Sequence, residues 1–457
     1  MRTTSALWSK IAARGQFNCE AKLVIGNTTY TEITAPKVTR IAMQEGISIG
    51  NCCTACLNVS IYTTDTIAKG AQVNLYGRIF NEKGTSEWLC FGVFFISKRS
   101  YTDTMINLTC YDSMLKAETS FKSSDHTSYG DKRSFWQTLA WIADEMSVGI
   151  HPDTQAFFEA HAHPIDPDTS PYAVPFPEAG TTYREILEDM AGIMGGNFVI
   201  TEDNQIKLVL LKSAPDESFD IISNDYEEIV TSEGDNLVYD ENPVTYPDTD
   251  NVFSIPAVLG SIQVGERGRI TGVTYTTSNQ NGRTFSEGGN TGFVLYIEDN
   301  QFVYNYSEPT FFYNLDHEVL HGWDTWYEPF IATRCVFNPA LEMGDRIKIG
   351  DRVFSVIYNY SFTLGNLFTA DISAPFLDED EYPYNASVVS AKTATSLQVR
   401  QRRSNNSTYY VAKGTVGMKN SSGDMQVTST GDIEFQTANN TTTLDSIISR
   451  ISALENR

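Results

Sequence analysis

The chain has 457 residues and a formal net charge of −24, from 57 acidic and 33 basic side chains. That length holds about three domains at roughly 150 residues each, and every one is long enough to bury a core. So acidic a balance repels nucleic acid and supplies no basic face for reading a duplex, which excludes sequence-specific nucleic-acid binding.

The N-terminal MRTTSALWSKIAARGQF has no sustained apolar core and no small-residue cleavage site, so it is not read as a signal peptide. No run approaches the ~18 apolar residues of a membrane span, so no stable membrane insertion is expected. Residues 1–115 read as a β unit. Ala21 to Ile25 is a strand that turns at Gly26-Asn27, and Leu57, Val59 and Ile61 alternate with Asn58, Ser60 and Tyr62. Trp88 to Ile96 is apolar almost throughout and is expected to be buried on both faces. Short strands between regular turn signals indicate a sandwich or a barrel. The seven cysteines (19, 52, 53, 56, 90, 110 and 335) fit small buried hydrophobes of a reducing compartment. Cys52-Cys53-x-x-Cys56 has the spacing of a metal knuckle, but no second CxxC or His pair completes one, and no metal is assigned.

Residues 116–212 change character. Ser134 with Gln137 makes a capping box before the helical face Phe135, Leu139, Ile142, Ala143 and Met146. Thr182 with Glu185 makes another before Ile186, Leu187, Met190 and Ala191. A loop rich in Pro, Asp and His is expected between them, from His151 to Pro177; His161 and His163 in it read as solvated. Phe198–Ile200 and Ile206–Leu211 form a hairpin, and helices on a small sheet give an α+β domain.

Residues 213–375 read as an acidic connector followed by a second β unit. Its end, Asn338 to Pro375, is expected to be a meander with one buried face. Within it, His317-Glu318-Val319-Leu320-His321 matches HExxH, in which two imidazoles one helical turn apart bind zinc and the Glu serves as base. A third ligand would have to be Glu328 or Glu342. An ordinary helical connector accounts for the same residues, and Gly322 weakens the helix immediately afterwards. No catalytic residue and no cofactor is assigned, and a zinc metallopeptidase stands as the alternative. The aromatic residues Tyr304, Tyr306, Phe311, Phe312 and Tyr313 allow a second one, a receptor-binding module.

Residues 376–457 begin as a charged linker and turn Thr/Ser/Asn-rich. Arg400, Arg402 and Arg403 read as part of a solvated loop. Val416–Asn420, Met425–Val427 and Gly431–Phe435 look like very short strands with too few large apolar residues for a monomeric core. Such a segment is either disordered or intertwined with its own copies. Leu444, Ile447, Ile451 and Leu454 then occupy a and d of two heptads, which predicts a trimeric coil seam.

Several stretches, in this order, resemble the tail-hub (baseplate-hub) family of tailed bacteriophages and phage-derived contractile bacteriocins. Lys69 to Tyr76 and Trp88 to Ile96 look like a first tube barrel, and Cys110 to Leu115 like its exit into the α+β domain. Tyr183 to Leu211 is similar to the helix and hairpin of that domain. Tyr327-Glu-Pro329 followed by Asn338 to Asp345 looks like a second barrel. The resemblance covers about residues 10–375. It implies a mainly β fold with two tube-like β-barrels, an inserted α+β domain, a polar β-rich C-terminal segment and a short coiled coil. It further implies a homotrimeric structural protein of the virion tail, assembled in the bacterial cytoplasm. Such a trimer adapts a hexameric tube to a threefold tip or spike and lines the channel for genome passage. Tail-tube or distal tail proteins, tip, spike or fibre proteins, and a tape-measure protein are the implied partners. The chain shows no cell-wall hydrolase signature.

Overall fold

Ser5 caps the helix α1 (Ala6–Ala12) by accepting from the Trp8 amide, and the helix buries Trp8, Ile11 and Ala12. The structure, a computed structural model, describes residues 2–211, 252–376 and 402–443, apart from short stretches within them and from 303–324. The HExxH stretch, His163, Tyr304 to Tyr313, the connector and the heptads Leu444 to Leu454 lie outside the described residues.

After α1 come β1 (Asn18–Ile25), β2 (Thr28–Tyr30), β3 (Lys37–Ile41), β4 (Cys56–Tyr62), β5 (Gln72–Asn81), β6 (Gly84–Thr85), β7 (Leu89–Tyr101) and β8 (Met105–Asp112). Gly26, at φ 57°, makes the expected turn between β1 and β2. In β4 the expected alternation holds: Leu57, Val59 and Ile61 are buried, and Asn58 and Tyr62 are exposed. β7 departs from expectation. Leu89, Val93 and Phe95 are only half-buried, so one face of this strand carries the core and the other is partly open.

Past a 3-10 turn, Ser113–Glu118, the chain forms α2 (His126–Tyr129), β9 (Lys132–Ser134), α3 (Phe135–Glu145), β10 (Gly149–Ile150), α4 (Pro152–His161), β11 (Ala173–Pro175), α5 (Tyr183–Ile193), β12 (Gly196–Ile200) and β13 (Gln205–Leu210). Both capping boxes form, Ser134 with Gln137 and Thr182 with Glu185. α4 corrects the expectation of a loop from His151. Pro152 occupies the first helical position, where its missing N–H costs nothing. Phe158, fully buried, fastens the helix to the sheet. β10, β13 and β12 form a small sheet, β12 and β13 being the expected antiparallel hairpin.

The second β region contains β14 (Val252–Ile255), β15 (Ile262–Val264), β16 (Gly268–Thr276), β17 (Thr284–Gly288), β18 (Phe293–Ile297), β19 (Thr325–Tyr327), β20 (Phe330–Val336), β21 (Arg346–Ile349), β22 (Arg352–Val356), β23 (Asn359–Thr363) and β24 (Thr369–Ala374). The expected meander at 338–375 is split between sheets. β21 and β22 join β14, whereas β23 and β24 join the largest sheet. The C-terminal part contributes β25 (Arg402–Ser404), β26 (Ser407–Ala412), β27 (Thr415–Asn420), β28 (Gly423–Val427), β29 (Ile433–Thr437) and β30 (Asn440–Thr443), paired in sequence order.

The largest sheet has 12 strands in the order β15-β20-β24-β23-β3-β4-β8-β7-β5-β1-β2, with β6 on β5. Early and late β regions therefore share one sheet, joined where β3 pairs antiparallel with β23. Its path has two ends, and among the described residues no pairing closes it into a barrel. The fold is mainly β, with a large antiparallel sheet and a few short helices.

Candidate functional site

Backbone alternation gives β3 one inward parity, Val38 and Arg40, both buried. A charged residue at a core position must be paired, and Arg40 meets this demand from three directions. Its Nη1 donates to the Ile200 carbonyl at 2.6 Å, and its Nη2 to the Phe91 carbonyl at 3.1 Å. Its Nε lies 3.1 Å from Glu202 Oε1. The guanidinium also faces the Phe94 ring, 5.7 Å from the centroid.

Glu202 comes from the turn between β12 and β13, and the Tyr360 hydroxyl of β23 donates to the same Oε1. Tyr360 is the register partner of Arg40 across the β3–β23 ladder. The ion pair thus gathers the early strands, the small α/β sheet and the late strands at one buried point. Burial pulls the Glu202 carboxyl upward, but the charges of Arg40 and Arg2, with the Tyr360 bond, hold it below the usual carboxylate range. Burial acts most strongly against the Arg40 charge, and Glu202, Tyr360, Asp112 and Cys90 together outweigh it, so the guanidinium stays charged more firmly than in water.

The backbone around this pair is shaped to admit it. Gly92 has φ 141°, and a Cβ there would lie 2.4 Å from the Phe94 ring and 2.7 Å from Arg40 Nη2. Below it, Asp112 accepts from the amides of Ala55 at 2.9 Å and Met114 at 3.0 Å. Burial lifts its carboxyl to about 6 despite the nearby Arg40.

Further links tie the same units together. Asn359 Oδ1 accepts from the amides of Ala42 and Met43 at 3.0 and 3.1 Å, and its Nδ2 donates to the Met43 carbonyl at 2.8 Å. Asn197 in β12 accepts from the Asn51 amide and donates to the Ser48 carbonyl, both at 2.8 Å. Trp8 Nε1 donates to Asn338 Oδ1 at 3.1 Å, and the Arg2 side chain donates to the Pro339 carbonyl at 2.7 Å. The arrangement is an electrostatic lock between structural units, although the Arg2 Nε and Ser48 Oγ atoms beside it are buried without a hydrogen-bond partner.

The sequence-derived candidates fall elsewhere. Leu444, Ile447, Ile451, Leu454, His317 and His321 lie outside the described residues. Cys52 and Cys53 are buried, and burial pushes the Cys53 thiol up to about 12. They belong to the segment that pairs with β12: Cys53 N donates to the Phe198 carbonyl at 2.9 Å. Among the described residues no three His, Cys, Asp or Glu side chains converge as metal ligands. No described helix is long and apolar enough to cross a membrane. Sequence reasoning missed Arg40, Glu202 and Tyr360. The available signal was a charged residue at the inward parity of KVTRI, the mark of a buried pair.

No family model matches the sequence, and no curated protein does. Among solved structures the chain is similar to the E. coli c3393 protein. That protein is a component of the type VI secretion system and is described as structurally similar to the T4 bacteriophage tail proteins gp27 and gp5. The identity is 10%, the TM-score 0.33, and the match covers 78% of this chain and 77% of that one.

Proposed function

We propose that the chain is a structural hub at the distal end of a phage or phage-like tail tube. Three copies form an adaptor between a hexameric tube and a threefold tip or spike, and they line the channel through which the genome passes. The observation that carries this reading is the joining of the early and late β regions into one sheet at β3–β23. Two β units held edge to edge in each of three chains supply six units around a ring. The Arg40–Glu202–Tyr360 lock fixes their mutual angle, as a ring demands. Closure into tube-like barrels then takes place between copies as well as within one. In this reading residues 1–115 and 213–375 carry the two β units, 116–212 the α+β domain, and 376–457 the spike-like segment and coil. The chain works sterically and is not an enzyme. Tube, tip and tape-measure proteins are its partners.

The mass of the purified chain in solution and the symmetry of its density in tail particles test the proposal. A trimer with three copies per particle is expected. A stable monomer at micromolar concentration, or a peripheral location in more copies, overturns it.

A further inference from the structure

On β3, β23 and β24 the buried parity is Val38 and Arg40, Tyr360 and Phe362, and Ala370 and Ile372. The residues between them therefore share the outer face of the sheet. Register sets these outer residues in two rows. In one, Thr363 is opposite both Lys37 and Thr369; in the next, Ser361 is opposite both Thr39 and Asp371. The Ser361 and Thr39 hydroxyls lie 3.2 Å apart.

Arg334 reaches the Asp371 end of the second row from β20. It sits where the β20–β24 register shifts, and it is a non-glycine residue at φ 53°. A bulge of this kind re-aims a side chain. Such backbone persists only where its surroundings hold it, and it gathers at ligand sites. Here it is held on both sides: Arg334 N donates to Asp371 Oδ1 at 2.8 Å, and the Arg334 carbonyl accepts from the Leu259 amide at 3.0 Å.

Lys37, Arg334, Ser361, Thr363, Thr369 and Asp371 together line a cleft of about 230 Å³ over the β3–β23 seam. Among the described residues neither Lys37 nor Arg334 has an ion-pair partner, in a chain with 57 acidic and 33 basic side chains. Two cations against one carboxylate leave the lining one positive charge in excess, which a monoanion neutralises. The volume falls below the ~300–1,000 Å³ of sites for drug-sized ligands, so it admits one small unit. A planar carboxylate matches the fork of an arginine. Asp371 would repel a bare carboxylate, yet it accepts from hydroxyl groups, and the serine and threonine hydroxyls both donate and accept. We propose that this cleft binds a sugar acid, its carboxylate on Arg334 and Lys37 and its hydroxyls on Asp371 and the row of Ser361, Thr363 and Thr369. All six residues belong to one chain, so the site is independent of the hub reading.

The test titrates the full chain with D-glucuronate, D-galacturonate, D-glucose and acetate by ligand-observed saturation-transfer NMR. Binding of at least one sugar acid, tighter than that of glucose or acetate, is the expected result. Lys37→Gln and Arg334→Gln, both at exposed positions, should each weaken it by about tenfold, the loss of one charge-assisted bond. Their melting temperatures should match wild type; if Arg334→Gln melts lower, Lys37→Gln, in regular strand, decides. Asp371→Asn keeps an acceptor for Arg334 N and turns the other oxygen into a donor. It should therefore shrink the preference for the sugar acid over acetate while acetate still binds. No transfer to either sugar acid at ~10 mM overturns the proposal. So does glucose or acetate binding as tightly as the sugar acid, or an affinity that Lys37→Gln and Arg334→Gln both leave unchanged.

Discussion

Tyr360 stands directly across the β3–β23 ladder from Arg40, and the two side chains meet on one carboxylate, Glu202, contributed by a third part of the chain. Their convergence adds one buried ion pair to the backbone ladder that joins the early and late β regions. Loss of one member leaves an unneutralised charge in the core. Arg40→Met should therefore destabilise the chain by ~3–5 kcal/mol in denaturant unfolding. Adding Glu202→Gln should recover part of that loss, because the stranded charge is gone. A double variant no more stable than Arg40→Met would show that packing, not charge, dominates at this position.

Gly92 should tolerate no side chain. Its φ of 141° strains any L residue, and a Cβ would meet both Phe94 and Arg40. Gly92→Ala should cost roughly 2–5 kcal/mol from strain and overpacking together. At Gly70, with φ 77° and nothing within 4 Å, alanine should cost about 1 kcal/mol. Thermal unfolding of the two variants side by side checks the order, and equal losses would contradict it.

His151 should weaken the fold in mild acid. Burial and the nearby Lys207 charge lower its pKa from 6.5 to about 4, so the folded chain holds it neutral while the unfolded chain protonates it. A depressed folded pKa gives stability that is complete above pH 6.5 and is lost as pH falls toward 4. Asp112 has the opposite sign in an overlapping window: its stabilising preference for the protonated form fades as pH rises from 3.8 through about 6. The difference between wild type and His151→Gln isolates the histidine. That difference should shrink as pH drops from 7 to 4, and a constant difference would remove the histidine from the account.

The HExxH stretch should prove to be connector. Purified protein should hold no stoichiometric zinc by elemental analysis, and Glu318→Gln should leave particle assembly and infectivity intact. Tightly held zinc, with proteolysis lost in that variant, would replace this reading with a metallopeptidase.

The heptads should close the assembly and not start it. A helix of two heptads is marginal alone, and Ile447→Asp with Ile451→Asp puts charge into its seam. The double variant should keep the oligomer of the remainder while the last residues become protease-sensitive. A monomeric variant would make the coil the driver of association.

The sequence disclosed most where local chemistry decides. Capping boxes at Ser134 and Thr182 and the alternation of Leu57, Val59 and Ile61 depend on neighbours within a few residues, and all appear in the structure. Partition between sheets was not legible. Whether β22 and β23 stay in one meander depends on β14 and β3, partners far away in sequence. α4 was hidden by its own composition, since Pro152 and Asp153 count as loop residues anywhere except in the first turn of a helix. The Arg40 site combined both difficulties, for Phe91, Ile200, Glu202 and Tyr360, which surround the guanidinium, are scattered along the chain.

The β3–β23 seam also sets a timetable for synthesis. Ile41 must wait for Asn359. At ~5–20 residues per second the ribosome needs on the order of tens of seconds to deliver it. Throughout that interval β3 presents an open backbone edge, with Arg40 lacking both Glu202 and Tyr360 for much of it. A charged residue on a waiting strand discourages premature pairing with a neighbouring nascent chain. The residue that locks the finished sheet is thus placed to keep the unfinished one from joining the wrong partner.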